Sequence, residues 1–253
     1  KLIIRSYHTV TPSPIELSET TSTNTFLSAL CDKQPMPDMT CVFSAYQTAG
    51  RGQRGNSWES EPGANLLFSY VVYPDFLEAH RQFLLSQITA LSVQEVLSVY
   101  TEGISIKWPN DIYWHDKKIC GTLIENDLTG MYISRSISGT GVNLNQKEFK
   151  SDAPNPVSLT QITGQHYEPR EILKQITERI AFYYGLLQAG DSLTIATRYK
   201  DRLYRKDGFH RYADSDGEFK AHIVDIEPIG KLVLEDESGT IRKYMFKEVS
   251  FKL

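Results

Sequence analysis

A chain of 253 residues, 40% hydrophobic and 23% charged, is long enough for one large core or for a large domain with a small one attached. Its 27 basic and 31 acidic residues leave a net charge of −4, which excludes a global basic field that recruits nucleic acid, so any anion binding must be local. Three cysteines without a C-x-x-C pair suggest neither a disulfide framework nor a zinc knuckle, and the six histidines form no H-x-x-x-H pair. The apolar run in the N-terminal KLIIRSYHTV is too short for a signal peptide, and no stretch approaches the roughly 20 apolar residues that span a bilayer. A reduced cytoplasmic compartment and no membrane partner are expected.

In chain order, TSTNTFLSAL places Ser22 or Thr23 as an N-cap, with Phe26, Leu27 and Leu30 on one face of a short helix. TCVFSAYQ reads as an apolar strand ending at Gln47, and ANLLFSYVVYP as another, closed by Pro74. Between them lies GRGQRGNSWES, where Gly50, Gly55 and Ser57 have the spacing of a phosphate loop but Asn56 replaces its lysine. A phosphate loop leads into a helix whose amides hold the anion, whereas this loop joins strand to strand. It is not a phosphate loop.

FLEAHRQFLLSQITALSVQEVLSVY carries apolar residues at three- and four-residue spacing and predicts one long buried helix over 76–100. ISIKWPNDIYWHDKKICGTLIEN predicts strand, turn and strand, broken at Pro109-Asn110-Asp111 and again near His115-Asp116. GMYISRSISGTGVNLN predicts a further strand ending in a glycine-rich turn that contains Gly139, Gly141, Asn143 and Asn145. PREILKQITERIAFYYGLL and SLTIATRYKDRL are helical patterns. From about Gly208 onward the pattern changes to short strands with turns at 215–217, 228–230 and 238–239, the layout of a small β-barrel.

Four stretches can carry chemistry. In the arginine loop, Gly50, Gly52 and Gly55 allow close backbone approach to a ligand, and Arg51 and Arg54 offer forked donors for phosphate or carboxylate. A solvated basic turn is the plain alternative, against which the neighbouring Trp58 argues. In KWPND, Lys107 and Asp111 supply a cation for phosphate and a carboxylate for Mg²⁺, or else form an ordinary Asx turn. In KKICG, Lys118 at the start of a strand suits a substrate carboxylate, or snorkels at a sheet edge. GTGVNLN suits a nucleotide pocket, or simply ends a strand.

In order, TSTN, QTAGRGQRGNSW, KWPNDIYW, KKICGTLIE and GTGVNLN resemble the successive motifs of biotin–protein ligases, the biotin–[acetyl-CoA carboxylase] ligases, over about residues 18 to 145. The resemblance implies an α+β fold: a mixed-sheet catalytic domain with flanking helices over 1–205 and a small SH3-like barrel over 206–253. It implies ATP-dependent activation of biotin as biotinyl-5′-AMP, with Mg²⁺, and transfer to a lysine of a biotin carboxyl carrier protein. By matching motifs, Ser22, Thr23, Asn24, Gln47, Gly50, Arg51, Gly52, Gln53, Lys118 and Gly121 would hold biotin. Arg54, Asn56, Trp58, Lys107, Asn110, Asp111 and Asn143 would hold ATP, with Asp111 on the metal. Lys118, Arg51 and Lys107 would be catalytic.

The family often reads G-R-G-R-x-G-R-x-W, whereas Gln53 and Asn56 stand at two of those arginine positions here, so this loop carries less positive charge. The 21 residues that precede the Ser-Thr-Asn motif are too few for the winged helix some members carry, so no DNA partner is expected. A homodimer stays open. The alternatives are a lipoate–protein ligase or octanoyltransferase of the same fold and, from another class, a non-catalytic RNA-binding module. The acidic net charge disfavours the last.

Overall fold

The computed structural model describes residues 12–151 and 154–252, for Arg54 the backbone alone. The N-terminal KLIIRSYHTV segment therefore lies outside the described residues. In chain order the larger sheet contains β1 (Ile15–Leu17), β2 (Cys41–Ser44), β3 (Leu66–Val72), β4 (Ile104–Lys107), β5 (Asp111–Trp114), β6 (Lys117–Thr129) and β7 (Tyr132–Val142). These run in the order β1-β2-β3-β7-β6-β5-β4. Only β1 and β2 are parallel, so the sheet is mixed.

The strands alternate as a two-residue period demands. Leu66, Phe68, Tyr70 and Val72 of β3 join one apolar cluster, while Val71 joins another with Val42, Ile137 and Leu27. The smaller cluster lies under α1 (Thr23–Lys33). The larger is covered by α2 (Phe83–Leu97), α4 (Pro169–Gln188) and α5 (Ser192–Asp201), with the short α3 (Leu159–Thr163) preceding α4. Both faces of the sheet are thus covered, which explains why all seven residues of β3 are buried.

Two expectations need correction. The apolar pattern over 76–100 is not one helix: α2 follows a 3₁₀ turn at Ala79–Arg81. The backbone of 77–79 pairs instead with the β6–β7 hairpin, Ala79 N donating to Met131 O and Leu77 O accepting from Ile133 N. Those groups are therefore withdrawn from a helical ladder. Gly139 and Gly141 are also not in a turn. They lie inside β7, paired to β3 and β6, and the chain turns only after Val142.

The second sheet comprises β8 (His210–Asp214), β9 (Gly217–Ile226), β10 (Leu232–Asp236), β11 (Ile241–Tyr244) and β12 (Ser250–Phe251), all antiparallel, in the order β11-β10-β9-β8-β12. Its turns fall where the sequence places them, with Gly217, Gly230 and Gly239 at positive φ. Buried Trp108, just past β4, donates its indole N–H to Gly230 O at 2.9 Å and meets Phe246 edge-on. This indole is one directional contact between the two sheets. Among the described residues no helix is long and apolar enough to cross a membrane.

Candidate functional site

The loop between β2 and β3 is held in shape by its own backbone. Gly52 N donates to Asn56 O at 2.6 Å and Trp58 N to Gly50 O at 2.9 Å, around a 3₁₀ turn at Gln53–Gly55. Gly55 sits at φ 85°, a conformation open to glycine at little cost. The folded loop aims three side chains differently. Arg51 meets Glu125 of β6 through two parallel bonds of 2.9 Å. Gln53 Nε2 donates to Asn110 Oδ1 and to Thr122 O. Trp58 turns inward over the sheet.

The indole fits because β6 and β7 offer glycines beneath it. A methyl group at Gly141 would come within 2.4 Å of the Trp58 ring, and one at Gly121 within 2.9 Å. At Gly139 it would meet Asn24 Oδ1 at 2.1 Å. These strand glycines are a cradle for side chains from elsewhere.

At the start of α1, Ser22 is the N-cap by position, but its side chain makes no capping bond. Gln47 does that work from outside the helix: its Oε1 accepts from Thr23 N at 2.7 Å and Thr23 Oγ1 at 3.0 Å. Asn24 Nδ2 donates to Glu125 Oε2 at 2.8 Å and to Leu123 O at 3.3 Å. The Ser69 hydroxyl lies 2.7 Å from Thr23 Oγ1 and 2.6 Å from Asn24 Oδ1. Since Gln47 spends its carbonyl on Thr23, its amide nitrogen is left for a ligand acceptor.

Across the cavity Lys118 Nζ pairs with Asp111 Oδ2 at 2.8 Å and lies 5.9 Å from the Trp58 ring centre. Asn143 Nδ2 donates to Val157 O, while its buried Oδ1 and the buried Trp58 Nε1 have no hydrogen-bond partner among the described residues. Both atoms are closed off from solvent, the Trp58 nitrogen against Gly141. Glu59 anchors the rim by accepting from Lys150 N and Ser151 N, each at 2.7 Å, and from Gln146 Nε2. Burial opposes its ionisation, but these hydrogen bonds outweigh burial and hold the carboxyl below its ordinary range.

The resulting cavity has a volume of about 750 Å³. It brings together Ser22, Thr23, Asn24, Gln47, Arg51, Gly52, Gln53, Asn56, Trp58, Asp111, Lys118, Gly121 and Asn143. Gly50 lies behind this wall, packed against Trp58 and Gln47. Asn110 is buried and faces a second cavity of about 440 Å³ beyond Gln53. Lys107 is the departure: it is not among the cavity residues. Its ammonium donates to the Tyr113 hydroxyl at 2.9 Å and sits over the Tyr113 and Phe251 rings, where the two sheets meet. The side chain of Arg54 lies outside the described structure.

Sequence reasoning missed Glu125, Ser69, Glu59 and the rim residues Phe149, Asn155, Pro156 and Phe246. Alternation along β6 is the signal that finds Glu125, which shares a period of two with Gly121 and Leu123. Nothing local marks the others.

Comparison with known proteins gives one consistent result. The family model described as the biotin/lipoate A/B protein ligase family matches residues 17–143, half of the chain. A bifunctional ligase/repressor BirA of Bacillus spizizenii is 28% identical over 225 residues, covering 82% of this chain and 65% of that protein. A biotin–[acetyl-CoA-carboxylase] ligase of Paracoccus denitrificans is 28% identical, covering 78% of this chain and 85% of the relative. The chain spans between 44% and 66% of the length of its Bacillus and Salmonella relatives. Among solved structures, the Aquifex aeolicus biotin protein ligase in complex with biotin and ATP superposes with a TM-score of 0.78 at 26% identity, covering 95% of this chain and 98% of that one. The ordered motifs, the mixed sheet with its flanking helices and the second antiparallel sheet all agree with that match, and the chain belongs to the biotin/lipoate A/B protein ligase family.

Proposed function

We propose that this chain is an ATP- and Mg²⁺-dependent biotin–protein ligase that forms biotinyl-5′-AMP and passes biotin to a lysine of a carrier protein. The observation that carries this reading is that the polar pocket at the start of α1 and the Lys118 ammonium open into one cavity. Thr23 and Asn24 are already paired within the protein, and the Gln47 amide nitrogen is the donor left for a ureido carbonyl; an apolar dithiolane, as in lipoate, would leave that donor unpaired.

The chemistry follows from charge. The biotin carboxylate must approach the α-phosphorus of ATP against mutual repulsion, and Lys118 supplies the opposing charge. The carboxylate oxygen forms a bond to that phosphorus as pyrophosphate leaves. The amine of the acceptor lysine then bonds to the acyl carbon, AMP departs with the bonding pair, and the amine sheds a proton. Trp58 and the loop above it shield the mixed anhydride from water. On the nucleotide side, Asn143 lines the cavity near Lys118 and Gly141.

Among the described residues no cluster of three potential metal ligands exists. A single carboxylate, Asp111, fits Mg²⁺ that arrives on the nucleotide and takes most of its ligands from phosphates and water. Such an ion supplies charge neutralisation between phosphates, and Asp111 would then share itself between the ion and Lys118.

The test is mass spectrometry of the protein incubated with ATP, Mg²⁺ and either biotin or lipoate. Biotinyl-AMP is expected with biotin. Lipoyl-AMP alone would replace this reading with the lipoate one, and RNA binding without ATP turnover would replace both. Lys118→Ala is expected to lower adenylate formation about 10²–10³-fold while the fold is retained. Near-normal turnover would remove Lys118 from the reaction.

A further inference from the structure

We propose that Glu125 is a positioning residue that ties the arginine loop to the first turn of α1, and thereby sets how long the acyl-adenylate stays bound. This rests on the biotin-ligase reading above. Glu125 is not itself among the cavity residues, yet both its oxygens are committed to groups that are. Oε1 accepts from Arg51 Nη1, and Oε2 accepts from Arg51 Nη2 and Asn24 Nδ2, at 2.8 to 2.9 Å. Three segments far apart in sequence meet on this one carboxylate.

Its geometry has two consequences. The fork-to-fork pairing fixes the plane of the Arg51 guanidinium, and through Arg51 the loop that closes on itself at the Arg51–Ser57 bridge. The contact with Asn24 fixes which end of that amide faces which neighbour. A flipped Asn24 would set its oxygen against the Glu125 carboxylate and Leu123 O, two acceptors that its nitrogen now serves. Glu125 therefore orients both the lid over the cavity and a group on its wall.

The pair's side chains are 44% and 43% exposed, so solvent and salt screen their attraction. The expected effect is correspondingly moderate and salt-dependent. Glu125→Gln keeps the size but supplies only one acceptor, and it is expected to shorten the retention of bound biotinyl-AMP about three- to tenfold at low salt. The Michaelis constant for biotin rises by a similar factor, while kcat for adenylate formation changes less. At about 0.5 M salt the wild-type protein moves toward the variant and the difference narrows. Glu125→Asp, which retains the charge, partly restores retention.

Retention is measured by loading the full chain with biotin and ATP, diluting, and following release of the adenylate. Unchanged retention shows that Glu125 positions nothing; longer retention shows that the pair holds Arg51 away from the ligand. Either overturns the proposal. A second measurement needs no substrate: hydrogen exchange of the ligand-free protein at the Gly52 and Trp58 amides. Faster exchange there in Glu125→Gln, with α2 unchanged, is the expected result. Uniformly faster exchange, or none, shows a structural role or no role and also overturns the proposal. A wild-type chain that forms no biotinyl-AMP defeats the biotin reading, while the exchange measurement still decides whether Glu125 holds the loop.

Discussion

Gly139 and Gly141 have no room for a methyl group, and the reason lies in side chains delivered from 24 and 58. The two positions separate the halves of the site. Gly139→Ala pushes on Asn24, which is pinned by Glu125, Leu123 O and Ser69, so the pocket at α1 distorts. Gly141→Ala pushes on Trp58, whose ring lies beside Lys118. Misplacement of a reacting or binding group by about 1 Å costs on the order of 10²-fold. We expect Gly139→Ala to lose biotin affinity by that order and Gly141→Ala to lose adenylate formation with biotin affinity largely kept. Calorimetry against biotin and single-turnover kinetics separate the two, and identical losses in both variants would show that the halves are not independent.

At the scale of elements, the loop at 50–58 and the segment at 146–151 form one rim because Glu59 joins them. The folded-state pKa of Glu59 is depressed, so its contribution is present above the ordinary glutamate range and is lost as pH falls through the lowered value. The NMR shifts of the Lys150 and Ser151 amides should therefore titrate together, with a midpoint below that of an ordinary glutamate. In Glu59→Gln the step should vanish at both amides, and adenylate retention should shorten because Phe149 and Ser151 line the cavity. A midpoint at or above the ordinary value would mean that burial outweighs the hydrogen bonds. Gln53 stands in the same loop, and its neutral amide is absorbed by Asn110 and Thr122 O.

Taken whole, the molecule is two sheets that share one continuous apolar core, and the smaller part contributes Phe246 to the cavity wall. Trp108 supplies a directional contact within that core. Replacing it with Phe keeps an aromatic ring but deletes the donor to the buried Gly230 carbonyl, whose left-handed turn packs against Phe83. We expect a loss of about 1–3 kcal/mol in urea unfolding, the cost of stranding a buried acceptor. Adenylate formation should weaken as Phe246 shifts. Unchanged stability would show that the carbonyl finds water and that the contact there is apolar alone.

Much of this architecture was legible in the linear chain. Apolar runs such as LLFSYVV, the periodic helix of PREILKQITERIAFYYGLL and the late glycine turns depend on neighbours a few residues away, and local patterns record local constraints. The ordered motifs likewise named thirteen residues that line the main cavity. What tertiary structure alone decided is contact across distance. Arg51 and Glu125 are 74 positions apart, and Asn24 and Glu125 are 101 apart. Their meeting follows from β7 lying between β3 and β6, a strand order that no short window contains. The same order turned Gly139 and Gly141 from supposed turn residues into a cradle. Around Lys107 both ranges meet: its ammonium finds the Tyr113 hydroxyl six positions away and the ring of Phe251, which the second sheet brings from the far end of the chain, because a lysine's partners depend on which groups its flexible stem can reach.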